Sequence, residues 1–292
     1  MQVPHAEASE DGIDRPAAWL EAVEHIVTAQ SRRVLILGPR DAGKSTFARE
    51  ILRASIARGR DAALLDTDVG QKSVGPPACV TLGQVAPEGD LALVDLAFVG
   101  ATDPVRGWRE TVRGAARLLR SCEASLVAIN TGGLLAGPGR RLKAGKIGVL
   151  EPDLLVAIGE DPGLDLVLAD HPALPALRLA PSSRARRKTE GERRSARCAA
   201  FRAYFEGAEE RAAPRQAFDT EDASEGPPCA GMLTGLTDAS GRDIGLGLIA
   251  RVDPEAGRLA YRVPAGTGPV ARLRGSRVLL DEAFRDRRAT GG

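Results

Sequence analysis

One octapeptide, Gly38-Pro39-Arg40-Asp41-Ala42-Gly43-Lys44-Ser45, constrains the fold of this chain more than any other part of its sequence. It has the form Gly-x-x-x-x-Gly-Lys-Ser, follows the apolar run at 34–37 and opens a helical pattern. Its glycines let the backbone turn so that N–H groups point inward at phosphate oxygens, and the helix N-terminus adds positive potential. The sequence therefore predicts a phosphate-binding loop between a strand and a helix.

The side chains of this loop have distinct expected roles. Lys44 is expected to reach the β- and γ-phosphates of a nucleoside triphosphate, and Ser45 is expected to hold Mg²⁺. The predicted cofactor-binding residues are Gly38, Asp41, Ala42, Gly43, Lys44, Ser45 and Thr46.

Composition limits the classes of partner. The formal net charge of the 292 residues is only +1, so a site for a polyanion must be a local patch. Aromatic residues make up 3%, which argues against a platform that stacks many bases. Four scattered cysteines and three distant histidines support neither structural zinc nor a disulfide framework. With no signal peptide and no apolar run long enough to span a membrane, a cytoplasmic protein without a membrane partner is expected.

Apolar runs and helical patterns alternate along the first two thirds of the chain. The predicted strands are 34–37, 62–65, 91–99, 126–129 and 154–158, and the predicted helices are 16–30, with Asp14 as its cap, 44–58 and 109–122. This order predicts an α/β fold of the P-loop NTPase type, with a mostly parallel sheet flanked by helices. Short apolar segments at 232–233, 244–252, 259–263 and 278–280, separated by turn sequences, predict a small C-terminal all-β domain.

Three domains are expected from these patterns. Residues 1–30 form a tail and a helix, residues 31–211 form the P-loop domain with an arginine-rich lid at about 184–207, and residues 212–292 form the β domain.

Acidic residues follow the second predicted strand in the sequence Asp66-Thr67-Asp68-Val69-Gly70-Gln71. In a P-loop fold this strand ends beside the γ-phosphate. One carboxylate is expected to steady Mg²⁺ and the other to take a proton from an attacking hydroxyl, although the pattern is also a common turn sequence. Asp95 follows a Walker B-like apolar run, but more apolar residues come after it, which favours a structural role.

Two further segments are candidates for the same cleft. Asn130-Thr131-Gly132-Gly133 ends a buried strand, where it either faces Lys44 or merely forms a turn. Seven of the fourteen residues from Arg184 to Arg197 are basic. Arg193 and Arg197 lie four apart, on one helical face, where they could neutralise a phosphoryl group and form a lid that excludes water. The alternative for this run is a solvated charged face.

Taken in order, these elements resemble the polynucleotide 5′-hydroxyl kinases, a family that includes the kinase subunit of the eukaryotic pre-mRNA cleavage complex. The likeness spans about residues 34–207 and also includes Gly75-Pro76-Pro77 and the segment 98–104. It implies that Asp68 activates the 5′-hydroxyl and that Asp66 lies on the metal side. The residues implied are Lys44, Asp68, Arg193 and Arg197 for catalysis, Gln71, Gly75, Pro76, Thr131, Gly133 and Lys188 for substrate binding, and Ser45 and Asp66 for the metal.

The chain departs from this family at three places. Leu134 stands where many members have a base-stacking tryptophan, Lys188 stands where the first lid arginine often lies, and, as in shorter prokaryotic members, no N-terminal β-domain is expected before the P-loop.

The expected function is that of an ATP- and Mg²⁺-dependent kinase that phosphorylates 5′-hydroxyl ends of RNA or DNA. The alternatives are a non-catalytic ATP-binding scaffold in a nucleic-acid-processing assembly and a kinase of sugars or nucleosides.

Overall fold

The structure, a computed structural model, describes residues 14–86, 89–220 and 226–287, so the predicted tail before Asp14 lies outside it. The first helix, α1, spans Ala17–Thr28 and buries an apolar face that includes Trp19. The prediction that Asp14 caps this helix is wrong, because Pro16 occupies the cap position. The Asp14 carboxylate instead accepts hydrogen bonds from the hydroxyls of Ser182 at 2.5 Å and Ser183 at 3.1 Å.

A seven-stranded sheet forms the larger part of the fold, in the order β4-β3-β2-β5-β1-β6-β7. Only β3 runs antiparallel to its neighbours, and the other strand pairs are parallel. The strands are β1 Arg33–Leu37, β2 Ala62–Asp66, β3 Cys79–Val85, β4 Leu91–Phe98, β5 Leu126–Asn130, β6 Leu154–Ile158 and β7 Ala176–Leu179. The predicted α/β fold with a mostly parallel sheet is confirmed.

Helices cover both faces of this sheet, as its buried strands require. The helices that follow α1 are α2 Lys44–Ile56, α3 Trp108–Arg120, α4 Pro138–Leu150, α5 Pro162–Ala169 and α6 Glu190–Tyr204. Alternate residues of β1 enter two separate apolar clusters, with Val34 and Ile36 on the side of α1 and α2 and Leu35 and Leu37 on the side of α3, α4 and α5. Among the described residues, no helix is long and apolar enough to cross a membrane.

The chain ends in a second, six-stranded sheet, as the alternating C-terminal pattern predicts. Its strands are β8 Glu209–Pro214, β9 Phe218–Asp219, β10 Leu233–Thr237, β11 Asp243–Asp253, β12 Arg258–Val263 and β13 Arg272–Arg274. The two sheets meet where the Phe98 N–H donates to Asp243 Oδ2 at 3.0 Å. Asp95 also lies here, paired with Arg117 and Arg242, in keeping with the structural role expected for it.

The parallel strands place their following loops at one edge of the first sheet. Segments after β1, β2 and β5 therefore converge there, and α6 approaches the same edge. This edge holds the candidate site.

Candidate active site

The loop after β1 has the backbone of a phosphate cradle, and its glycines are sterically required. Gly38 has φ of +151°, and a Cβ there would lie 2.3 Å from the Ile158 carbonyl oxygen. Gly43 has φ of +94°, and a Cβ there would lie 2.5 Å from the Trp19 ring. Trp19 of α1 thus packs directly beneath the loop that precedes α2.

Lys44 begins α2 and is almost fully buried, with its Nζ donating to the Pro39 carbonyl at 2.6 Å. Burial lowers the pKa of Lys44 to about 8, an effect opposed by the nearby carboxylates of Asp68 and Asp41. The ammonium group is therefore held inside the loop, beside both acids.

Asp68 lies in the loop after β2 and is half-buried. Its Oδ1 accepts backbone N–H groups from Gly70 at 2.9 Å and Gln71 at 3.1 Å. Its Oδ2 lies 3.4 Å from the Cβ position of Gly132, and no hydrogen bond to this oxygen occurs among the described residues. One carboxylate oxygen is fixed and the other remains available to a ligand.

Asp66, which ends β2, is fully buried and does not reach the cleft. Its carboxylate accepts the Asp68 N–H at 3.1 Å, the Ser73 N–H at 2.6 Å and the Asn130 amide at 3.1 Å. Lys72 Nζ forms an ion pair with it at 3.6 Å. Asp66 therefore acts as an internal anchor for the acid loop, and it does not offer an oxygen to the cleft in this state.

The predicted arginine-rich lid is α6, which begins with a capping box formed by Thr189 and Glu192. The Arg193 guanidinium pairs with the Asp41 carboxylate of the phosphate loop, which also accepts the Lys188 N–H at 3.0 Å. Burial favours a higher pKa for Asp41, but these hydrogen bonds outweigh it and lower the pKa below its ordinary value. The Gln71 amide donates to the Arg193 carbonyl at 3.2 Å, so the lid contacts both loops.

These segments enclose a cleft of about 370 Å³. The sequence-predicted residues that line it are Asp41, Gly43, Lys44, Ser45, Thr46, Asp68, Gln71, Thr131, Gly133, Lys188 and Arg193. Its side chains include six cationic and three acidic groups, so the cleft is locally positive in a chain of net charge +1. The cations are Arg40, Lys44, Arg184, Arg186, Lys188 and Arg193.

Some predicted residues lie outside the cleft wall. Arg197, one turn beyond Arg193, pairs with Glu190 at 3.3 Å. Gly75 and Pro76 do not line the cleft either, and the Cβ position of Gly75 faces Leu93 and Thr81. Gly38 and Ala42 belong to the phosphate loop but do not line the cleft, and Asp66 lies beneath the acid loop that follows β2.

Two buried lysines of α4 were not predicted from the sequence. Lys146 Nζ donates to the Thr67 carbonyl at 3.0 Å and hydroxyl at 2.8 Å, and Lys143 Nζ donates to the Gly132 carbonyl. Burial lowers the pKa of Lys146 to about 8 and lowers the pKa of Lys143 well below its ordinary value. Charged residues at helical spacing normally indicate a solvated face, so only tertiary structure identifies these two as supports of the site.

The cleft also contains oxygen donors suited to a divalent cation. Ser45 and Asp68 line it, and both supply hard oxygen ligands. The described residues contain no group of three or more His, Cys, Asp or Glu side chains that could hold a metal. The donor set fits Mg²⁺, which binds through few protein ligands and completes its shell with phosphate oxygens and water.

Comparison with known proteins identifies the family. The family model for the P-loop of the mRNA cleavage and polyadenylation factor CLP1 matches residues 38–207, more than half of the chain. The chain belongs to the Clp1 P-loop family. This assignment confirms the resemblance inferred from the motifs, and together with the loop geometry it makes the cleft a nucleotide-binding site.

Curated relatives are about a third identical to this chain over the aligned residues. The polyribonucleotide 5′-hydroxyl-kinase of Pyrococcus abyssi is 32% identical over 200 residues, which cover 66% of this chain and 56% of the relative. The polyribonucleotide 5′-hydroxyl-kinase Clp1 of Xenopus laevis is 30% identical over 192 residues, which cover 60% of this chain and 44% of the relative. The chain therefore spans about half the length of the curated relatives it matches.

A solved complex of Clp1p with a segment of Pcf11p has a similar fold, with a TM-score of 0.70 and 11% identity. The match covers 89% of this chain and 78% of that one, so it includes the second sheet as well as the P-loop domain.

Proposed function

We propose that the protein is an ATP-dependent polynucleotide kinase that transfers the γ-phosphoryl group to the 5′-hydroxyl of RNA or DNA. The observation that carries this proposal is the convergence of Lys44, Asp68 and Arg193 on one cleft from three separate segments. The names of the curated relatives, polyribonucleotide 5′-hydroxyl-kinases, support the same acceptor.

In the proposed reaction the 5′-oxygen forms a bond to the γ-phosphorus while the bond to the β,γ-bridging oxygen breaks, leaving ADP. Asp68 Oδ2 takes the proton of the attacking hydroxyl, since Oδ1 is already occupied by two backbone N–H groups. Lys44 and Arg193 stabilise the charge that spreads over the transferred group. Bound Mg²⁺, held through Ser45, supplies further charge neutralisation on the phosphates.

The lid is proposed to contribute to the reaction by covering the cleft. Arg193 lies over the cleft while its backbone is tied to Gln71 and its side chain to Asp41. A closed lid excludes water, which would otherwise accept the phosphoryl group. Arg197 would reach the phosphates only after a rearrangement, so we assign the main lid contact to Arg193. Gln71, Thr131, Gly133 and Lys188 line the cleft and remain the proposed substrate-side residues. Gly75 is half-buried and Pro76 is buried outside the cleft wall, so their contact with substrate stays a prediction.

The test is a transfer assay with γ-labelled ATP and a panel of 5′-hydroxyl RNA, 5′-hydroxyl DNA and free nucleosides. The proposal expects label on an oligonucleotide. Label only on nucleosides would identify a small-molecule kinase, and retained ATP without transfer from folded protein would identify a nucleotide-binding scaffold.

Asp68→Asn separates catalysis from binding in this assay. We expect ATP affinity to be retained and turnover to fall roughly 10²–10⁴-fold, because the amide cannot accept the proton. Asp238→Asn is a matched control, since Asp238 also accepts two backbone N–H groups in a turn, from Ser240 and Arg242, but lies in the second sheet. Turnover of Asp68→Asn within a factor of two of the control would remove Asp68 from the role of base.

A further inference from the structure

Asn130 is the only asparagine in the chain, and it lies buried at the end of β5 with one polar atom unused. Its backbone carbonyl accepts the N–H and the hydroxyl of Thr67 at 3.0 and 2.7 Å, which fixes its place beside β2. Its side chain lines the cleft next to Ser45. Nothing in the roles assigned above requires an amide at this position.

The orientation of the Asn130 amide follows from its partners. Nδ2 lies 3.1 Å from Asp66 Oδ1 and 3.3 Å from Ser45 Oγ. The Asp66 carboxylate already accepts from several donors, and an ionised carboxylate can only accept, so the amide must present its N–H groups to it. The other amide atom, Oδ1, is therefore an acceptor.

Asn130 Oδ1 is buried and has no hydrogen-bond partner within the described part of the chain. Buried polar atoms are nearly always paired, so an unpaired acceptor in a cleft wall indicates a missing donor. The hydroxyl of Ser45, which lies 3.3 Å from Nδ2 of the same amide, is the group that holds the metal in the proposed function. A metal-bound water is a strong donor, and Mg²⁺ retains several such waters when it binds with a nucleotide.

We infer that Asn130 is part of the divalent-metal site, a role that rests on the proposed function. Its Nδ2 fixes the Ser45 hydroxyl so that a lone pair faces the metal, and its Oδ1 accepts a hydrogen bond from a water of the metal shell. Asp66 anchors the amide from behind. Asp66 then contributes to metal binding only indirectly, through its hydrogen bond with the Asn130 amide.

The experiment is a Mn²⁺ titration followed by electron paramagnetic resonance, on protein saturated with the β,γ-imido analogue of ATP. Asn130→Leu keeps the branching and the number of heavy atoms of the side chain and removes both polar atoms. We expect it to weaken Mn²⁺ binding about tenfold, in the range found when metal-supporting residues are lost. Affinity for the analogue in excess EDTA should not change. Thr111→Val is the control, because Thr111 is also fully buried and hydrogen-bonded, to the Gly107 carbonyl, but is not part of the cleft wall.

Mn²⁺ affinity within twofold of the control would overturn the inference, as would an equal loss of analogue affinity in EDTA. Unchanged Mn²⁺ binding with a raised KM for the oligonucleotide would also overturn it, because Oδ1 would then serve the acceptor.

If Asn130→Leu fails to fold, Asn130→Asp provides the test. A carboxyl group that shares a proton with Asp66 still presents an oxygen to the cleft but lacks the amide donor to Ser45, so Mn²⁺ affinity should fall by less than tenfold. A tenfold loss in this variant contradicts the inference. Because the titration needs no phosphoryl transfer, its outcome does not depend on whether the kinase assay succeeds.

Discussion

At the scale of single residues, the lowered pKa of Lys44 has a direct consequence for nucleotide binding. Its buried ammonium has a pKa of about 8, lowered mainly by loss of solvent. Bound phosphates would favour the charged form, so above pH 8 the free protein must take up a proton in order to bind nucleotide.

We therefore predict that nucleotide affinity falls as the pH rises, by roughly tenfold between pH 7 and pH 9. Isothermal titration calorimetry without metal, in buffers of different ionisation enthalpy, would measure both the affinity and the proton uptake. Lys44→Arg is the control, because a guanidinium stays charged throughout this range. The same decline in Lys44→Arg would show that another group is responsible.

The loop that holds Gly38, Gly43, Lys44 and Ser45 lies between a strand and a helix as the motif predicts, because its form depends on local backbone geometry, and the binding roles of these residues stay predictions. Asp66 was harder to predict, since only the structure shows its oxygens occupied by Ser73, Asn130 and Lys72. Residue type and spacing cannot reveal which of two acids faces a cleft when both lie in one turn.

At the scale of elements, the lid and the phosphate loop are coupled through Asp41. Asp41 has φ of +62° and accepts from Arg193 and from the Lys188 N–H. Asparagine tolerates the same backbone conformation, so Asp41→Asn removes the charge without forcing the loop to change.

We predict that amide hydrogen exchange in residues 188–193 becomes roughly tenfold faster in Asp41→Asn, since hydrogen bonds to charged groups contribute about 1.5 kcal/mol or more. Mass spectrometry of the exchanged peptides measures this. Asp161→Asn is the control, because Asp161 caps α5 by accepting the Gly163 N–H and is not part of the cleft wall. Equal exchange in the two variants would mean that Asp41 does not hold the lid.

Two elements that sequence patterns missed, α4 and β3, have apolar runs that other residue types interrupt. In α4, Lys143 and Lys146 are buried, so the apolar stripe that marks an amphipathic helix is interrupted. In β3, Gly83 and Gln84 break the apolar run of an otherwise buried strand. The strands 154–158 and 34–37 were predicted closely because they are buried on both faces and read as continuous apolar runs.

At the scale of the whole molecule, the second sheet holds the far end of the lid. Phe201 of α6 and Phe205, which follows the helix, pack with Phe98 of β4 and with Leu233 and Leu246 of the second sheet. The Leu246 N–H donates to the Tyr204 hydroxyl at 2.9 Å.

The predicted boundary at 211–212 falls within β8, which starts at Glu209, so the division into domains stays a prediction.

This shared core predicts that Phe201→Ala lowers the free energy of unfolding by about 3–5 kcal/mol. Urea denaturation followed by circular dichroism provides the measurement. Leu166→Ala, at a side chain that is 49% exposed, should change it by less than about 0.5 kcal/mol. A similar small change for Phe201→Ala would show that the second sheet does not anchor the lid.

The most direct measurement of the central claim is a crystal structure of the chain with ADP, Mg²⁺, aluminium fluoride and a 5′-hydroxyl oligonucleotide. We predict the 5′-hydroxyl within hydrogen-bond distance of Asp68 Oδ2, and Lys44 and Arg193 in contact with the fluoride group. An acceptor hydroxyl out of reach of Asp68, or an Arg193 still paired with Asp41 alone, would contradict the account.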